Sequence, residues 1–153
     1  MAHFWIRKKV HWSDTDAAGI VWFPNYFGWF EDAEEELFAA TLGVTRQSLL
    51  DRHRFGMPRV EAHARYLSPV RAGQLIRIGI SSTLENPRRL RHDFEMRDDA
   101  AATVLADGYV RVACIDLKTF TPRDLPEEVR QLVAQLPAAA ERQNTAGGDP
   151  PWT

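Results

Sequence analysis

From Phe4 to Trp12 apolar and polar positions alternate loosely, with aromatic and β-branched residues frequent, and this predicts a first strand. Turn formers in Ser13 to Gly19, SDTDAAG, break the pattern. The period then changes. Tyr26, Trp29, Phe30, Ala33, Leu37 and Ala40 recur at helical spacing, with Glu31, Asp32, Glu34, Glu35 and Glu36 expected on the opposite face. Pro24 suits an early helix position, where its missing N–H is not needed, and Gly43 suits the stop. The result is one long amphipathic helix, apolar enough in its first turns to sit inside a sheet. TRQSLLDRH predicts a second, shorter helix.

Four more strands are predicted: Pro58 to Leu67, Leu75 to Leu84, Leu90 to Arg97 and Thr103 to Leu117. The turn signals SPVRAGQ, ENPRR and DDAA separate them. In LRHDFEMR, Leu90, His92, Phe94 and Met96 share one face, and Arg91, Asp93, Glu95 and Arg97 the other. That alternation marks an antiparallel meander with one side buried. LPEEVRQLVAQL is a terminal amphipathic helix with Pro126 near its start. From Pro137 the chain has little to bury and reads as a flexible tail. The expected organisation is therefore one domain over 1–136, a tail over 137–153 and no internal repeat. The order of elements is that of an α+β domain with a helix laid on one face of an antiparallel sheet.

A chain of 153 residues is the size of one domain, long enough for a core but close to the small end for enclosing a deep pocket alone. A formal charge of -2 argues against nucleic acid and anionic membranes as partners. One cysteine, Cys114, leaves no intrachain disulfide and no cysteine metal cluster, which makes the cytoplasm the expected compartment. The first residues, MAHFWIRKKVHW, carry charges inside an alternating segment and read as a strand, not a signal peptide. No apolar run reaches membrane-spanning length.

The candidate chemistry lies in WSDTDAAGIVWFPNYFGWFEDAEEELF, Trp12 to Phe38. Asp16 stands just before a glycine and an apolar helix start, a costly place for a carboxylate that nothing uses. The plain alternative is a turn aspartate bonding its own backbone, a reading that suits Asp14 as well. A metal site on His11, Asp14 and Asp16 lacks any further ligand cluster, so no metal is expected.

The string DTDAAGIVWFPNY followed by an acidic helix resembles the hotdog-fold acyl-CoA thioesterases, in the branch typified by 4-hydroxybenzoyl-CoA thioesterase. The likeness is strongest from Ser13 to about Phe38, continues through MPRVEAHARYLSPVRAGQLIRI and fades after Arg97. It implies a hotdog fold, an antiparallel sheet wrapped around one long central helix. It implies a thioester hydrolase acting on an aromatic acyl-CoA of benzoyl or hydroxybenzoyl type, or on another acyl-CoA, with Asp16 as nucleophile or general base. The backbone amide of Phe23, at the helix N-terminus, would polarise the thioester carbonyl. A sister branch for short acyl groups has histidine where this chain has Phe23, a departure that favours bulkier acyl groups here.

By the same resemblance Asp14, Gly19 and Pro24 shape the loop, and the substrate-binding set is Gly19, Trp22, Tyr26, Trp29, Glu31, Arg88 and Arg89. Trp22, Phe23, Tyr26 and Trp29 would line the acyl slot, although aromatics at helical spacing also make plain core. Glu31 would meet a polar acyl substituent, or else is one exposed acid in an acidic run. Arg88 and Arg89 would hold coenzyme A phosphates through planar donor forks, with Arg59, Arg65 and Arg71 as unranked further candidates. Coenzyme A enters as part of the substrate and no cofactor is implied. The resemblance also implies a homodimer with a continuous sheet, or a homotetramer of paired dimers. Two other readings stand beside it. Hotdog dehydratases resemble an aspartate closely followed by histidine, and no histidine lies between Asp16 and His53. A non-catalytic acyl-binding or carrier-protein-docking module would leave Asp16 structural.

Overall fold

The computed structural model describes residues 4–136, so the tail expected over 137–153 lies outside the described residues. Five strands form the main sheet: β1 (Phe4–Lys9), β3 (Arg59–Tyr66), β4 (Leu75–Asn86), β5 (Arg89–Asp98) and β6 (Val104–Ala113). Their spatial order is β1-β4-β5-β6-β3, antiparallel at every pairing. A separate short ladder joins β2 (Phe55–Gly56) to β7 (Ile115–Asp116). The helices are α1 (Asn25–Leu42), α2 (Arg46–His53) and α3 (Glu127–Gln135).

α1 follows the predicted period. Pro24 precedes its first residue, and Gly43 ends it at φ 65°, a left-handed conformation that glycine adopts without a Cβ penalty. Phe30, Ala33, Leu37 and Phe38 are buried against the sheet, and the Phe30 ring stacks on Phe94 of β5 at 4.5 Å and 6°. Each such large side chain contributes on the order of 1.5–3 kcal/mol of burial free energy. Leu90, His92, Phe94 and Met96 fill the inner face of β5, as their alternation predicts. This is the hotdog arrangement, α+β, with the sheet curved about α1.

Three expectations shift. The strand expected over Phe4 to Trp12 ends at Lys9, and Trp12–Asp14 form a 3₁₀ turn. The long last strand splits at Cys114, whose N–H donates to the Arg88 carbonyl (2.8 Å) and whose carbonyl accepts from the Arg123 N–H (3.1 Å), both outside the ladder. On α1, Ala40 is exposed and Glu34, expected outside, is only 1% exposed.

Glu34 is buried because it occupies the inner stripe with Phe30, Ala33, Leu37 and Phe38, and because cations reach it there. Arg59 donates to both its oxygens, at 2.6 and 3.3 Å, and Arg46 lies 3.5 Å away. On its other side the fully buried His92 places Nε2 3.7 Å from Glu34 Oε1, and His92 Nδ1 pairs with Ser82 Oγ at 2.7 Å. Burial holds the His92 pKa below 6.5, with the Glu34 charge acting in the opposite sense. The unfolded chain therefore binds more protons than the folded one once pH falls below about 6.5. Thermal unfolding followed by circular dichroism should show stability lost as pH drops from 7 toward 5, and His92→Gln should flatten that slope.

Candidate active site

The site is built by a loop that folds back on itself between β1 and α1. Thr15 and Val21 form an isolated antiparallel bridge. Inside it the Asp16 N–H donates to the Ile20 carbonyl and the Gly19 N–H to the Asp16 carbonyl, both at 2.9 Å. Gly19 sits at φ 76°, a conformation that side chains rarely adopt, so the tight turn requires glycine there. Asp14 ties the ends together. Its carboxylate accepts the His11 N–H at 2.8 Å, and its carbonyl accepts both the Trp22 N–H and the Asn25 side-chain amide at 2.9 Å. Val21 N–H reaches across to the Val70 carbonyl at 2.8 Å, which fixes the loop to the segment before β4.

Two polar groups are left over by this closure. Asp16 is exposed, and Oδ1 accepts the Ala18 N–H at 2.8 Å while no described residue donates to Oδ2. At the helix opening, Asn25, Tyr26 and Phe27 donate to the carbonyls of Trp22, Phe23 and Pro24 in a tight i→i−3 pattern. Pro24 has no N–H. The Phe23 amide is thus the donor of that opening with no acceptor among the described residues. Both residues line one cleft of about 290 Å³, walled by Ile20, Tyr26, Tyr66 and Pro69.

Aromatic packing shapes that cleft. Tyr26 and Tyr66 meet edge to face at 4.8 Å, and Phe23 and Tyr66 at 6.4 Å. Burial raises both phenol pKa values, that of Tyr26 to about 12 with Tyr66 adding to the shift, so both hydroxyls stay neutral at physiological pH. The Tyr66 hydroxyl donates to the Phe23 carbonyl at 3.3 Å and so steadies the peptide that leads into Pro24.

Of the residues singled out from sequence, Asp16, Phe23 and Tyr26 share this cleft, and Gly19 shapes its loop. Trp22 is half exposed beside Phe23, with ring centroids 6.4 Å apart. Trp29 is buried one turn behind Tyr26, 5.7 Å from its ring. Glu31 stands elsewhere. It accepts from Arg46 at 2.8 Å and Arg59 at 3.5 Å, and it lines hollows on the side of α1 that faces α2 and Arg59. Those arginines hold its carboxyl below the usual range. Arg88 and Arg89 lie at the β4–β5 turn, where Arg88 donates to Asp124 at 2.9 Å. The loop is anchored at the opposite end of β4, and twelve residues of extended strand separate the two ends, roughly 35–40 Å. Tyr66, Ser68 and Pro69 complete the cleft without having been singled out. No local spacing marks them, since the β3–β6 register, with Tyr66 opposite Ala106, is what brings Tyr66 to the helix opening.

An antiparallel sheet wrapped on a central helix defines a hotdog protein. The chain belongs to the thioesterase-like superfamily, whose sequence profile matches residues 10–133. A 1,4-dihydroxy-2-naphthoyl-CoA hydrolase of Thermosynechococcus vestitus is 34% identical over 134 residues, 88% of this chain and 90% of that one. The 4-hydroxybenzoyl-CoA thioesterase of Pseudomonas sp. strain CBS-3 is 35% identical over 63 residues, 40% of this chain and 45% of the relative. The crystal structure of a 1,4-dihydroxy-2-naphthoyl-CoA thioesterase from Synechocystis superposes with a TM-score of 0.82 at 22% identity, covering 88% of this chain and 97% of that one, and shows the shared fold.

Tyr66→Phe removes one hydrogen bond from the carbonyl of Phe23, the residue whose own amide is unpaired, while keeping the ring. With a net worth of about 1 kcal/mol for such a bond, turnover should fall roughly fivefold with little change in melting temperature. Steady-state rates beside a melting curve check this.

Proposed function

We propose that the protein hydrolyses an aromatic acyl-CoA to the free acid and coenzyme A, with Asp16 delivering the attacking oxygen. That the chain is a thioester hydrolase follows from its family and from relatives named for this activity on CoA thioesters. The observation that carries the finer reading is the pairing, in one cleft, of an uncommitted Asp16 oxygen and an uncommitted Phe23 N–H. In this reading the thioester carbonyl oxygen points at the Phe23 amide, and the helix dipole adds to its pull on the developing negative charge. One such donor is worth roughly 10²–10³ in rate. The attacking oxygen belongs either to Asp16 itself or to a water that Asp16 deprotonates. In the first route a mixed anhydride forms as the C–S bond breaks, and water then opens it. In the second the hydroxyl adds to the carbonyl carbon and the C–S bond breaks as the oxyanion collapses. Both end with the sulfur protonated and the acid free.

Two features favour a ring-bearing acyl group. The cleft is walled by Phe23, Tyr26 and Tyr66, and at about 290 Å³ it stands at the small end of ligand sites, fitting a compact group better than a long chain. Relatives named for dihydroxynaphthoyl-CoA and hydroxybenzoyl-CoA point the same way. Glu31, Arg88 and Arg89 would meet such a substrate from a neighbouring subunit, given their distance from the cleft within one chain. A dimer is supported by β3, which forms one edge of the sheet and has a mostly exposed surface, open to pairing with a second copy. A tetramer of paired dimers in the cytoplasm belongs to the same reading. No helix of the described residues is long and apolar enough to cross a membrane.

Thiol release should be measured on a panel of benzoyl-, hydroxybenzoyl-, dihydroxynaphthoyl- and alkyl-CoA thioesters. The aromatic members should be turned over fastest, and Asp16→Asn should cost at least about 10²-fold on them. Equal, slow rates for both proteins on every thioester would leave a binding module in place of an enzyme. Light scattering should return twice or four times the chain mass, and a monomer at working concentration would remove the intersubunit roles.

A further inference from the structure

Away from the acyl cleft, the end of α2 and the start of β7 border an open hollow of about 730 Å³, well over twice the volume of that cleft. The two share no lining residue, and the proposed reaction does not use this one. Its walls are braced by the backbone. Arg123 Nη1 donates to the His53 carbonyl at 3.0 Å and to the Arg54 carbonyl at 3.5 Å, and the Leu117 N–H donates to the same Arg54 carbonyl. Arg54 ends α2 at φ 53°, a left-handed conformation that glycine adopts most easily. Here it carries a long, exposed cation at the wall of a hollow, and strain of that kind is a pointer to function.

The charged groups of this hollow separate by what already occupies them. Asp116 Oδ1 accepts the N–H groups of Lys118 and Thr119, at 2.8 and 3.0 Å, and the Thr119 hydroxyl, and the backbone bonds hold its carboxyl below the usual range. Asp51 accepts from Gln47 at 2.9 Å, and His53 Nε2 pairs with Glu128 at 2.9 Å. Among the described residues, none engages the Arg54 guanidinium or the Lys118 ammonium. The polar groups left over are two cations. Beside them lies apolar surface. Leu117 is 45% exposed, with Cδ2 2.9 Å from where a Cβ on Gly56 would lie, and Leu50 of α2 lines the same hollow. A bare inorganic anion would leave both leucines wet. A dianion would meet repulsion from Asp51 and Asp116, whereas a single negative charge on an apolar body suits every wall.

We infer that this hollow is a second binding site, for an amphipathic carboxylate, with Arg54 and Lys118 holding the carboxylate and Leu50 and Leu117 covering the apolar body. The planar fork of arginine matches a carboxylate with two parallel donors, and lysine adds a point charge. Because the site shares nothing with Asp16, its occupancy and the turnover of thioesters are separate measurements.

2-Naphthoate is the binding probe, titrated calorimetrically into wild type and into Arg54→Ala/Lys118→Ala. The double variant should bind it roughly 10- to 100-fold more weakly, the range for a lost charge-assisted hydrogen bond. Leu117→Ser should weaken it about tenfold through lost apolar cover. 2-Naphthol, which lacks the charge, and inorganic phosphate, which lacks the apolar body, should each bind at least about tenfold more weakly than naphthoate. All three side chains are exposed enough for these variants to fold, and thiol release from benzoyl-CoA should be unchanged in the double variant. Equal naphthoate binding in wild type and the double variant, or none in wild type, overturns the site. Naphthoate that binds solely as a competitor of benzoyl-CoA belongs in the acyl cleft and overturns it too. Phosphate bound as tightly as naphthoate would reduce the hollow to a plain anion site, and coenzyme A displacing naphthoate from it would assign the hollow to the substrate; either result rejects the inference. A protein that hydrolyses no thioester, yet binds naphthoate in an Arg54- and Lys118-dependent way, would leave the site standing and remove the catalytic reading alone.

Discussion

The site depends on how the backbone of one short loop spends its hydrogen bonds. Between His11 and Asn25 the main chain is closed by Asp14, which accepts from His11, Trp22 and Asn25, and by the bridge between Thr15 and Val21. Exposed polar groups are cheap to leave unpaired because water serves them, whereas buried ones are not. The loop therefore lies at the surface, and the uncommitted Asp16 oxygen and Phe23 amide cost little there in the free protein. They become valuable once a ligand covers them and the local dielectric falls. The same arrangement that is tolerable for folding is what makes the groups available for chemistry.

That loop needs a rigid partner, and α1 supplies it by being buried along most of one side. A helix held only by its own hydrogen bonds would fray in the first turn, where the Phe23 amide must keep its direction. Here Tyr26 and Trp29 anchor the first turn and Phe30 stacks on the sheet. Further along, Glu34 crosses into the core and is met by Arg59, Arg46 and the neutral His92. A buried ion pair of this kind is weak support for stability, since desolvation offsets most of the attraction. Removing one partner would nonetheless leave an uncompensated charge, so the cluster disfavours any rotation of α1 that would swing Glu34 out of register with Arg59.

What could be read in the sequence was whatever depends on local period. The 3.6-residue repeat located α1 and the two-residue repeat located β5, down to which face His92 would take. Glu34 was misplaced because its charge was allowed to outweigh its position: counted by spacing alone, it falls with Phe30, Ala33, Leu37 and Phe38. The break at Cys114 was invisible because its cause is long-range, an Arg88 carbonyl that the β4–β5 turn presents. Tyr66 was hidden, and Arg71 left unranked among the arginines, for the same reason. Tyr66 faces Phe23 only through sheet register, and Arg71 faces Gly19 only because Val21 and Val10 bond to the segment of residues 70–74. Asp16 and Phe23 were legible because eight residues of contiguous chain carry both.

The two hollows beside Asp16 differ in the property that separates the halves of an acyl-CoA. One is narrow and aromatic, with phenols held neutral, and favours a ring that is best removed from water. The other is wide and open, with one exposed indole, and favours a group that keeps its hydration. A substrate with unlike ends then has one favourable orientation, because reversing it would bury phosphates among aromatics at a cost of several kcal/mol per charge. Orientation set in this way needs no close fit to either end.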